Sequence, residues 1–256
     1  MKRKQNRQNL NAKTIYVLLV GIWIIYSIIL VSNVRIENFP SFAIVFEYLK
    51  HDLSRNDYWY HMLNTLWRVY VGLILAISIS IPLALISSQY KSISGCSSIL
   101  IELLRPIPNV AWVPVSIMMF EEISESVYFI TFMGAFFPIY TNTYFGMKKV
   151  PYDFIRMAKA LSIDKYSYIF EVLCPYSLPC VFTGLHLGLG GAWLAVIMAE
   201  MISGKDGIGY LVWKSYTLLN YTGVISGMIV IGGLGALSSL ILNSIHRKVV
   251  FWEGSN

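Results

Sequence analysis

A few polar and aromatic residues lie inside or at the ends of long apolar runs, where their chemistry would be exceptional. If those runs cross a membrane, such residues are candidates for a substrate or ion pathway, because ionisable groups are costly there and are commonly functional. The candidates are Arg105, Asn109, Trp112, His186 and Glu200. Asn109 could donate or accept hydrogen bonds, and Trp112 could offer a stacking face.

The segment Arg105–Trp112 is the strongest pathway candidate. Prolines at positions 106, 108 and 114 leave backbone groups of this stretch without helical partners. Within a membrane, such groups are tolerated only against protein or a water-filled cavity. Glu102 lies three residues before Arg105, so the two side chains could instead form a structural ion pair on one helix face.

His186 and Glu200 also have structural interpretations. His186 lies among glycines 184, 188, 190 and 191, and small residues at such spacing favour close helix packing. Glu200 could hold the following segment, SGKDGIGYLV, through its backbone amides. Arg68, near the start of an apolar run, is expected to extend its charge to the membrane surface.

Residues for catalysis or metal binding are not grouped in the sequence. The four histidines, at 51, 61, 186 and 246, are scattered, and the three cysteines, at 96, 174 and 180, lack metal-binding spacing. Gly207-Ile208-Gly209 is not part of a strand–helix–strand unit, and no phosphate-binding loop motif occurs. We therefore predict no catalytic residue, no metal and no cofactor in this chain.

The composition is that of a membrane protein. Hydrophobic residues make up 56% of the 256-residue chain and charged residues only 13%, against about 25% charged in soluble proteins. The net charge of +6 does not indicate nucleic-acid binding, because the basic residues are spread over short loops. We expect one membrane domain over residues 1–256.

Six runs are long enough to cross a bilayer, which requires about 20 residues of helix. Five of them are uncharged, and the sixth, at about 99–120, contains Glu102, Arg105 and three prolines. The predicted spans are Thr14–Val34, Val69–Tyr90, Ile99–Phe120, Ser126–Met147, Val172–Ala199 and Ser215–Ile245. The predicted fold is thus an all-α membrane protein with six transmembrane helices.

Lys and Arg residues predict the orientation of these spans. With the N-terminus inside, the inner segments hold 13 basic residues and the outer segments hold 5. Cytosolic loops carry such an excess, so both termini are predicted to be cytosolic, including the basic residues 1–13. The long outer loop at 38–60 contains PSFAIVFEYLK, whose apolar spacing predicts a helix, either on the membrane surface or packed on neighbouring spans.

Residues 146–176 form a cytosolic segment between spans four and five in this topology. A first short helix is predicted at Asp153–Leu161, after Pro151, and LSID is predicted to be a break. Asp164 is a suitable N-cap for a second helix, Lys165–Val172, which Pro175 and Pro179 should end.

The second cytosolic helix has the pattern of a docking element. Ile163, Tyr166 and Phe170 are spaced to share one face, and charged residues surround them. An apolar ridge with a charged rim is typical of a helix that binds in a partner's groove. The alternative is a helical hairpin that folds back on its own membrane domain.

This segment resembles the cytoplasmic loop of permease subunits in binding-protein-dependent ABC importers. Their pattern is Glu-Ala-Ala-x-x-x-Gly, followed after about nine residues by a Leu-Pro element, and this chain has RMAKALS and then VLCPYSLP. The runs GLHLGLGGAWLAVIMAEMISGKDGIGYLV, LRPIPNVAWVP and PSFAIVFEYL resemble the nitrate, sulfonate and taurine branch. The resemblance covers about residues 38–248, with five motifs in the same order.

Two positions depart from the family pattern. Arg156 replaces the family Glu, which reverses a charge at the expected docking surface. Ser162 replaces the family Gly, which allows a positive φ between the two short helices. By resemblance, the residues that couple to the ATPase are Arg156, Ala158, Lys159, Leu161, Ser162, Ile163, Asp164, Tyr166 and Phe170.

The resemblance implies a permease that works by alternating access in a bacterial-type plasma membrane. Its implied partners are a cytosolic ABC ATPase dimer that binds ATP and Mg, an extracytoplasmic substrate-binding protein, a second permease copy and membrane lipid. The implied substrate is a small solute, possible examples being nitrate, a sulfonate or taurine. A stand-alone secondary transporter and a membrane-embedded enzyme are the alternatives.

Overall fold

The computed structural model describes Gly21 and residues 40–253. Internal contacts divide the chain at Ser41, and the fold described here is that of the second unit, from Phe42 onward. The first predicted span, Thr14–Val34, and the basic residues 1–13 lie outside the described residues, except for Gly21. The single-domain prediction therefore stays a prediction.

The described part of the chain is helical, and four of its helices are long and apolar enough to cross a membrane. These are α2 (Asn56–Gln89), α5 (Ile123–Lys148), α8 (Cys174–Ser203, continuous with the turns before it) and α10 (Tyr221–Val249). Shorter helices connect them: α1 (Phe42–Leu53), α3 (Lys91–Leu104), α4 (Trp112–Met119), α6 (Tyr152–Ala160), α7 (Lys165–Ser167) and α9 (Ile208–Thr217).

Helix α1 confirms the helix predicted for the outer loop. It packs against α10 and α2 through Val45, which is buried, while Phe42 and Phe46 are exposed. The residues predicted to share one apolar face are thus divided: Val45 is buried against the neighbouring helices, and Phe42 and Phe46 remain exposed. Helix α2 begins at Asn56, 13 residues before the predicted start at Val69, so Trp59 and Tyr60 belong to this helix and not to a loop.

The predicted span at 99–120 is not one helix. It is divided between α3, which ends at Leu104, and α4, which begins at Trp112, with a 3-10 turn at Asn109–Ala111 between them. Pro106 and Pro108 lack the amide hydrogens that a continuous helix requires, which explains the break. Neither piece reaches the length of a bilayer span, so a six-helix topology remains a prediction.

The segment at 146–176, which was predicted to be cytosolic, differs from prediction at its end. A π-helical turn, Tyr168–Leu173, follows α7 and continues directly into α8. The amide of Cys174 donates to the carbonyl of Ile169, five residues back. This wider turn lets Pro175 enter the helix without ending it, so the predicted break at Pro175 and Pro179 is absent.

The core lies where α2, α5 and α8 meet. Fully buried residues there include Val69, Ile130, Ile139, Ala195 and Val196. Helices α5 and α8 approach closely at Gly134 and Gly191, where a Cβ on Gly134 would lie 2.6 Å from the carbonyl oxygen of Gly191. Small residues at such crossings allow backbones to pack directly.

The crossing of α5 and α8 makes a stability prediction. Gly134→Ala should destabilise the chain by about 1–3 kcal/mol, because the added methyl overpacks the crossing. Gly190→Ala is the matched control, since a Cβ there would meet no neighbouring atom of the described chain within 4 Å, and α8 would gain a better helix former. Thermal unfolding in detergent measures both variants, and equal midpoints would contradict the predicted close approach.

Candidate functional site

The turn between α6 and α7 has the geometry that the sequence pattern requires. Ser162 has a φ of 52°, a left-handed conformation that favours glycine. The amide of Ile163 donates to the carbonyl of Ala158 at 3.0 Å, which closes the end of α6. The expected positive φ at the position of the family Gly is therefore present, although the residue is Ser.

Asp164 caps α7 as predicted. Its Oδ2 accepts hydrogen bonds from the amides of Tyr166 and Ser167 at 3.0 and 3.1 Å, and its Oδ1 accepts from the Ser167 hydroxyl at 2.7 Å. The Ser167 hydroxyl, with these amides, lowers the pKa of Asp164. The cap therefore stabilises the segment above the ordinary Asp pKa and is lost as the pH falls through the lowered value.

The coupling segment, defined here as residues 152–173, exposes large apolar side chains. Leu161 and Tyr166 are each 70% exposed and Phe170 is 52% exposed. The rings of Tyr166 and Phe170 contact each other with centroids 4.5 Å apart. The Tyr166 and Phe170 rings thus form an apolar surface that the rest of the described chain leaves exposed, and Leu161 is exposed on the same segment.

The other predicted coupling residues lie around this surface. The Arg156 guanidinium lies over the ring of Tyr152 at 4.6 Å, so its charge has an aromatic partner on α6. Ile163 is half-buried, and Ala158 is buried and faces inward. Ala158 therefore contributes to the packing of the segment and not to its exposed surface. The Lys159 side chain is not among the described side chains.

The coupling segment also contacts the junction of two membrane-domain helices. Lys165 Nζ donates to the Tyr90 hydroxyl at 3.1 Å and lies 4.8 Å from the centre of the Tyr90 ring. Tyr90 is the capping residue between the end of α2 and the start of α3. A displacement of α7 would therefore act directly on the connection between these two helices.

Ser162 gives a prediction for the rigidity of this segment. Ser162→Gly should stabilise the turn by about 1 kcal/mol, because glycine adopts positive φ without the steric penalty of a side chain. Ser162→Val should weaken the turn, since a β-branched residue is strongly disfavoured there. Hydrogen exchange at the Leu161–Asp164 amides would measure both effects, and faster exchange in the Gly variant than in the native chain would contradict the assignment.

The five pathway candidates do not converge on one site. Arg105 is exposed and lines a cavity of about 140 Å³ with Glu102, Tyr140 and Tyr144. Glu102 and Arg105 do not form an ion pair with each other within 4.0 Å, although the sequence allows one. This cavity places one cation and one anion beside two stacked tyrosines.

Asn109 and Trp112 belong to the break between α3 and α4. Asn109 begins the 3-10 turn and is half-buried. The indole of Trp112 packs edge-on against Phe129 with centroids 6.4 Å apart, and its Nε1 is buried without a hydrogen-bond partner among the described residues. An unpaired buried donor costs free energy, which makes Trp112 the better candidate of the two for binding another group.

His186 is held between helices. Its Nδ1 lies 2.8 Å from the Phe182 carbonyl oxygen, and its Nε2 lies 2.7 Å from Oδ1 of Asn243 on α10. Both ring nitrogens thus have partners within the membrane domain. This geometry favours the packing interpretation of His186 over a pathway role.

Glu200 is fully buried near the C-terminal end of α8 and belongs to a charged network. Its Oε1 accepts from Arg68 Nη1 at 3.0 Å, and its Oε2 accepts from the Gly209 amide at 3.0 Å. Glu200 therefore holds the following segment through a backbone amide, as the sequence suggested. The expectation for Arg68 is wrong: its side chain is 3% exposed and does not reach the surface.

The network continues into the loop between α8 and α9. Arg68 Nη2 donates to Asp206 Oδ1, and Arg68 Nη1 donates to the Asp206 carbonyl oxygen at 3.1 Å. Thr65 accepts from the Ile208 amide at 2.8 Å, and His61 Nδ1 accepts from the Gly207 amide at 3.0 Å. Gly207 has a φ of 106°, and any side chain there would collide with the Glu200 carboxylate.

We did not predict Thr65, Arg68 and Asp206 as a group. The available signal was the burial rule for charges: an Arg and a Glu in separate apolar runs each require a partner of opposite charge. That rule pairs Arg68 with Glu200, but the contribution of Asp206 depends on the positive φ at Gly204 and Gly207, which bends the loop back.

A match to a known protein family identifies the class of protein to which this helical chain belongs. Residues 53–251 match the family described as "Binding-protein-dependent transport system inner membrane component". The chain belongs to this family. It is therefore a multi-pass inner-membrane transport permease and not an enzyme.

Similar permeases come from several organisms. A Methanocaldococcus jannaschii protein, provisionally named an ABC transporter permease, is 41% identical over 73% of this chain and 70% of its own length. The nitrate import permease NrtB of Synechocystis is 33% identical, covering 73% of this chain and 68% of that protein. The taurine transport permease TauC of Escherichia coli is 29% identical, covering 77% and 71%. These matches agree with the nitrate, sulfonate and taurine branch.

The permease fold is also found among solved structures. An inward-facing structure of the MetNI methionine ABC transporter superimposes with a TM-score of 0.64 at 16% identity, covering 74% of this chain and 94% of the matched chain. The all-helical fold of an ABC importer permease is therefore confirmed for the described residues.

Proposed function

We propose that this chain is the permease of an ATP-driven importer and that residues 152–173 dock on a cytosolic ATPase subunit. The observation that carries the proposal is the uncovered apolar surface of Leu161, Tyr166 and Phe170 on a capped, hydrogen-bonded segment. Large apolar side chains grouped in this way are typical of a partner interface. The names of similar proteins, which are ABC transporter components, support the same partner class.

The coupling segment is suited to transmit force. Asp164 caps α7, the π-helical turn continues without interruption into α8, and Lys165 contacts Tyr90. Closure of an ATPase dimer on ATP and Mg would move the docked segment, and α8 and the α2–α3 junction would move with it. Alternating access follows if this movement favours one of two membrane-domain arrangements.

The topology and assembly belong to this proposal. Docking on the ATPase requires the coupling segment to be cytosolic, and the distribution of Lys and Arg predicts the cytosolic side for this segment and for both termini. An extracytoplasmic binding protein would deliver the substrate on the opposite side, and two copies of the chain would pair in the membrane. A small solute of the nitrate, sulfonate or taurine type is the proposed substrate, by similarity to the named relatives.

The pathway prediction is kept for Arg105, Asn109 and Trp112. Arg105 contributes an exposed cation on the segment that interrupts α3 and α4, and Trp112 contributes an indole donor without a partner among the described residues. Both groups suit an anionic oxygen. His186 and Glu200 are kept as positioning residues, because their polar atoms are already bonded within the membrane domain.

Site-specific crosslinking tests the docking proposal. With Cys96, Cys174 and Cys180 replaced by Ser, a cysteine placed by Tyr166→Cys should crosslink to the co-expressed ATPase subunit. A cysteine placed by Leu218→Cys is the matched control, because Leu218 is also 70% exposed but lies between α9 and α10. Crosslinks from position 218 and none from position 166 would refute both the docking and the orientation.

A further inference from the structure

A polar cavity of about 170 Å³ lies at the end of the membrane domain where α1, the start of α2, α9 and the start of α10 meet. It is separate from the coupling segment and from the Arg105 cavity. Its walls include Asp52, Tyr58 and Lys214. The volume exceeds the space that one water requires.

Asp52 is a carboxylate with little compensation for its burial. The residue is 7% exposed, and the imidazole nitrogen His51 Nδ1 is 3.9 Å away on a largely exposed side chain. Burial raises the pKa of Asp52 in spite of the opposing effects of Arg55 and His51. A cationic group that could approach through the cavity would therefore be stabilised by this carboxylate.

Tyr58 adds a second polar group on the same wall. It is 6% exposed, and its hydroxyl is buried without a hydrogen-bond partner in the described part of the chain. Ser226, whose hydroxyl is also buried, lies beside Tyr58. A buried hydroxyl without a partner destabilises the folded chain, and a ligand that forms a hydrogen bond with it would remove this cost.

The cations on the cavity wall have neighbours other than Asp52. Arg55 lies 3.5 Å from Asp57, and Lys214 lies 5.8 Å from the centre of the Tyr210 ring. His61 accepts the Gly207 amide on Nδ1 and directs its other nitrogen toward Asp57 at 3.7 Å. Of the two described carboxylates on this wall, Asp52 is the more deeply buried, and its one ion-pair neighbour within 4.0 Å is the His51 imidazole at 3.9 Å.

We propose that this cavity is a binding site for a primary ammonium group. The Asp52 carboxylate would form an ion pair with the ammonium, and the Tyr58 hydroxyl oxygen would accept a hydrogen bond from one of its N–H groups. An ammonium has three donors and no acceptor, which matches a carboxylate beside a hydroxyl oxygen. The Tyr48 hydroxyl, which already accepts from Asn220 at 3.0 Å, lies on the same wall. A free small amine and a lysine side chain of a protein would present the same group.

Binding of methylammonium to the purified full chain in lipid nanodiscs tests the proposal. Asp52→Asn should weaken binding about tenfold or more, because a charge-assisted hydrogen bond is lost. Tyr58→Phe should weaken binding severalfold and keeps the shape of the cavity. Asp57→Asn is the matched control: it removes a wall carboxylate that already has a partner, and it should change binding much less than Asp52→Asn.

Three results would overturn the site. Tetramethylammonium, which carries the charge without N–H donors, should bind at least tenfold more weakly than methylammonium, and equal binding would contradict ammonium recognition. Unchanged binding in both Asp52→Asn and Tyr58→Phe would do the same. Tighter binding by at least tenfold in Lys214→Met would show that Lys214 is the true partner of Asp52.

The source of the ammonium group follows from two further probes. Nα-acetyl-lysine amide represents a protein side chain, and ethanolamine represents a free small amine. Tighter binding of the first supports a protein lysine, and tighter binding of the second supports a free amine. The measurement requires neither ATPase nor transport, so failure here and failure of the ATPase docking proposal are distinguishable.

Discussion

Tyr166→Glu is expected to abolish ATP-driven import while the chain still inserts into the membrane. The substitution places a charge on the apolar surface that Tyr166 forms with Leu161 and Phe170. Burying an unpaired carboxylate against a partner is strongly unfavourable, so docking of the ATPase should weaken by about two orders of magnitude or more. Because Tyr166 is 70% exposed, the fold itself should be little affected.

The measurement combines uptake in reconstituted vesicles with co-purification of the ATPase subunit. Leu161→Asp should act in the same way, since Leu161 is equally exposed on the same segment. Leu218→Asp is the control, because it adds the same charge at an equally exposed position far along the chain. If Tyr166→Glu transports normally, then residues 152–173 do not couple the permease to its motor.

The coupling segment could be predicted from local chemistry because its determinants are local. Asp164 as an N-cap follows from cap preferences that act within a few residues. The positive φ at Ser162 was expected from the family resemblance, because the family has Gly at this position. The end of the segment was predicted incorrectly. Considered alone, the two prolines predict the end of a helix. In the structure, a π-helical turn precedes Pro175, which lies in the first turn of α8, where its missing amide hydrogen is tolerated.

The charged network could be predicted only in part because it depends on tertiary contacts. The role of Glu200 toward the following backbone was indicated by its position before a glycine-rich loop. The burial of Arg68 was not, because an Arg near the end of an apolar run more often extends to the surface. What buries it is the return of the loop that carries Asp206, 138 residues later in the chain.

The break between α3 and α4 shows the same division. Prolines at 106 and 108 indicate a local interruption, and the structure has one at that place. Arg105 and Glu102 line a cavity together with Tyr140 and Tyr144 of α5, which their spacing along the chain does not indicate. Local spacing therefore predicts the interruption, and only the packing of α5 determines the surroundings of the two charges.

Arg68→Met is expected to cause a large loss of stability. It leaves Glu200 and Asp206 without their shared cation in a buried site. Removing one partner of a buried ion pair costs about 3–5 kcal/mol. The loop at Gly204–Gly207 should also become a protease-sensitive site, because the Arg68 bond to the Asp206 carbonyl holds it in place.

Chemical unfolding in detergent micelles measures this effect, and a second substitution separates charge from packing. Glu200→Gln keeps the shape of Glu200 and removes its charge, so the double variant with Arg68→Met should lose clearly less stability than the sum of the two single losses. Lys205→Met is the control: its ion pair with Glu122 spans 4.0 Å at an exposed site, and removing it should cost under about 1 kcal/mol. Additive losses for Arg68 and Glu200 would mean that the two charges do not stabilise each other, and the loop would then be held by backbone contacts alone.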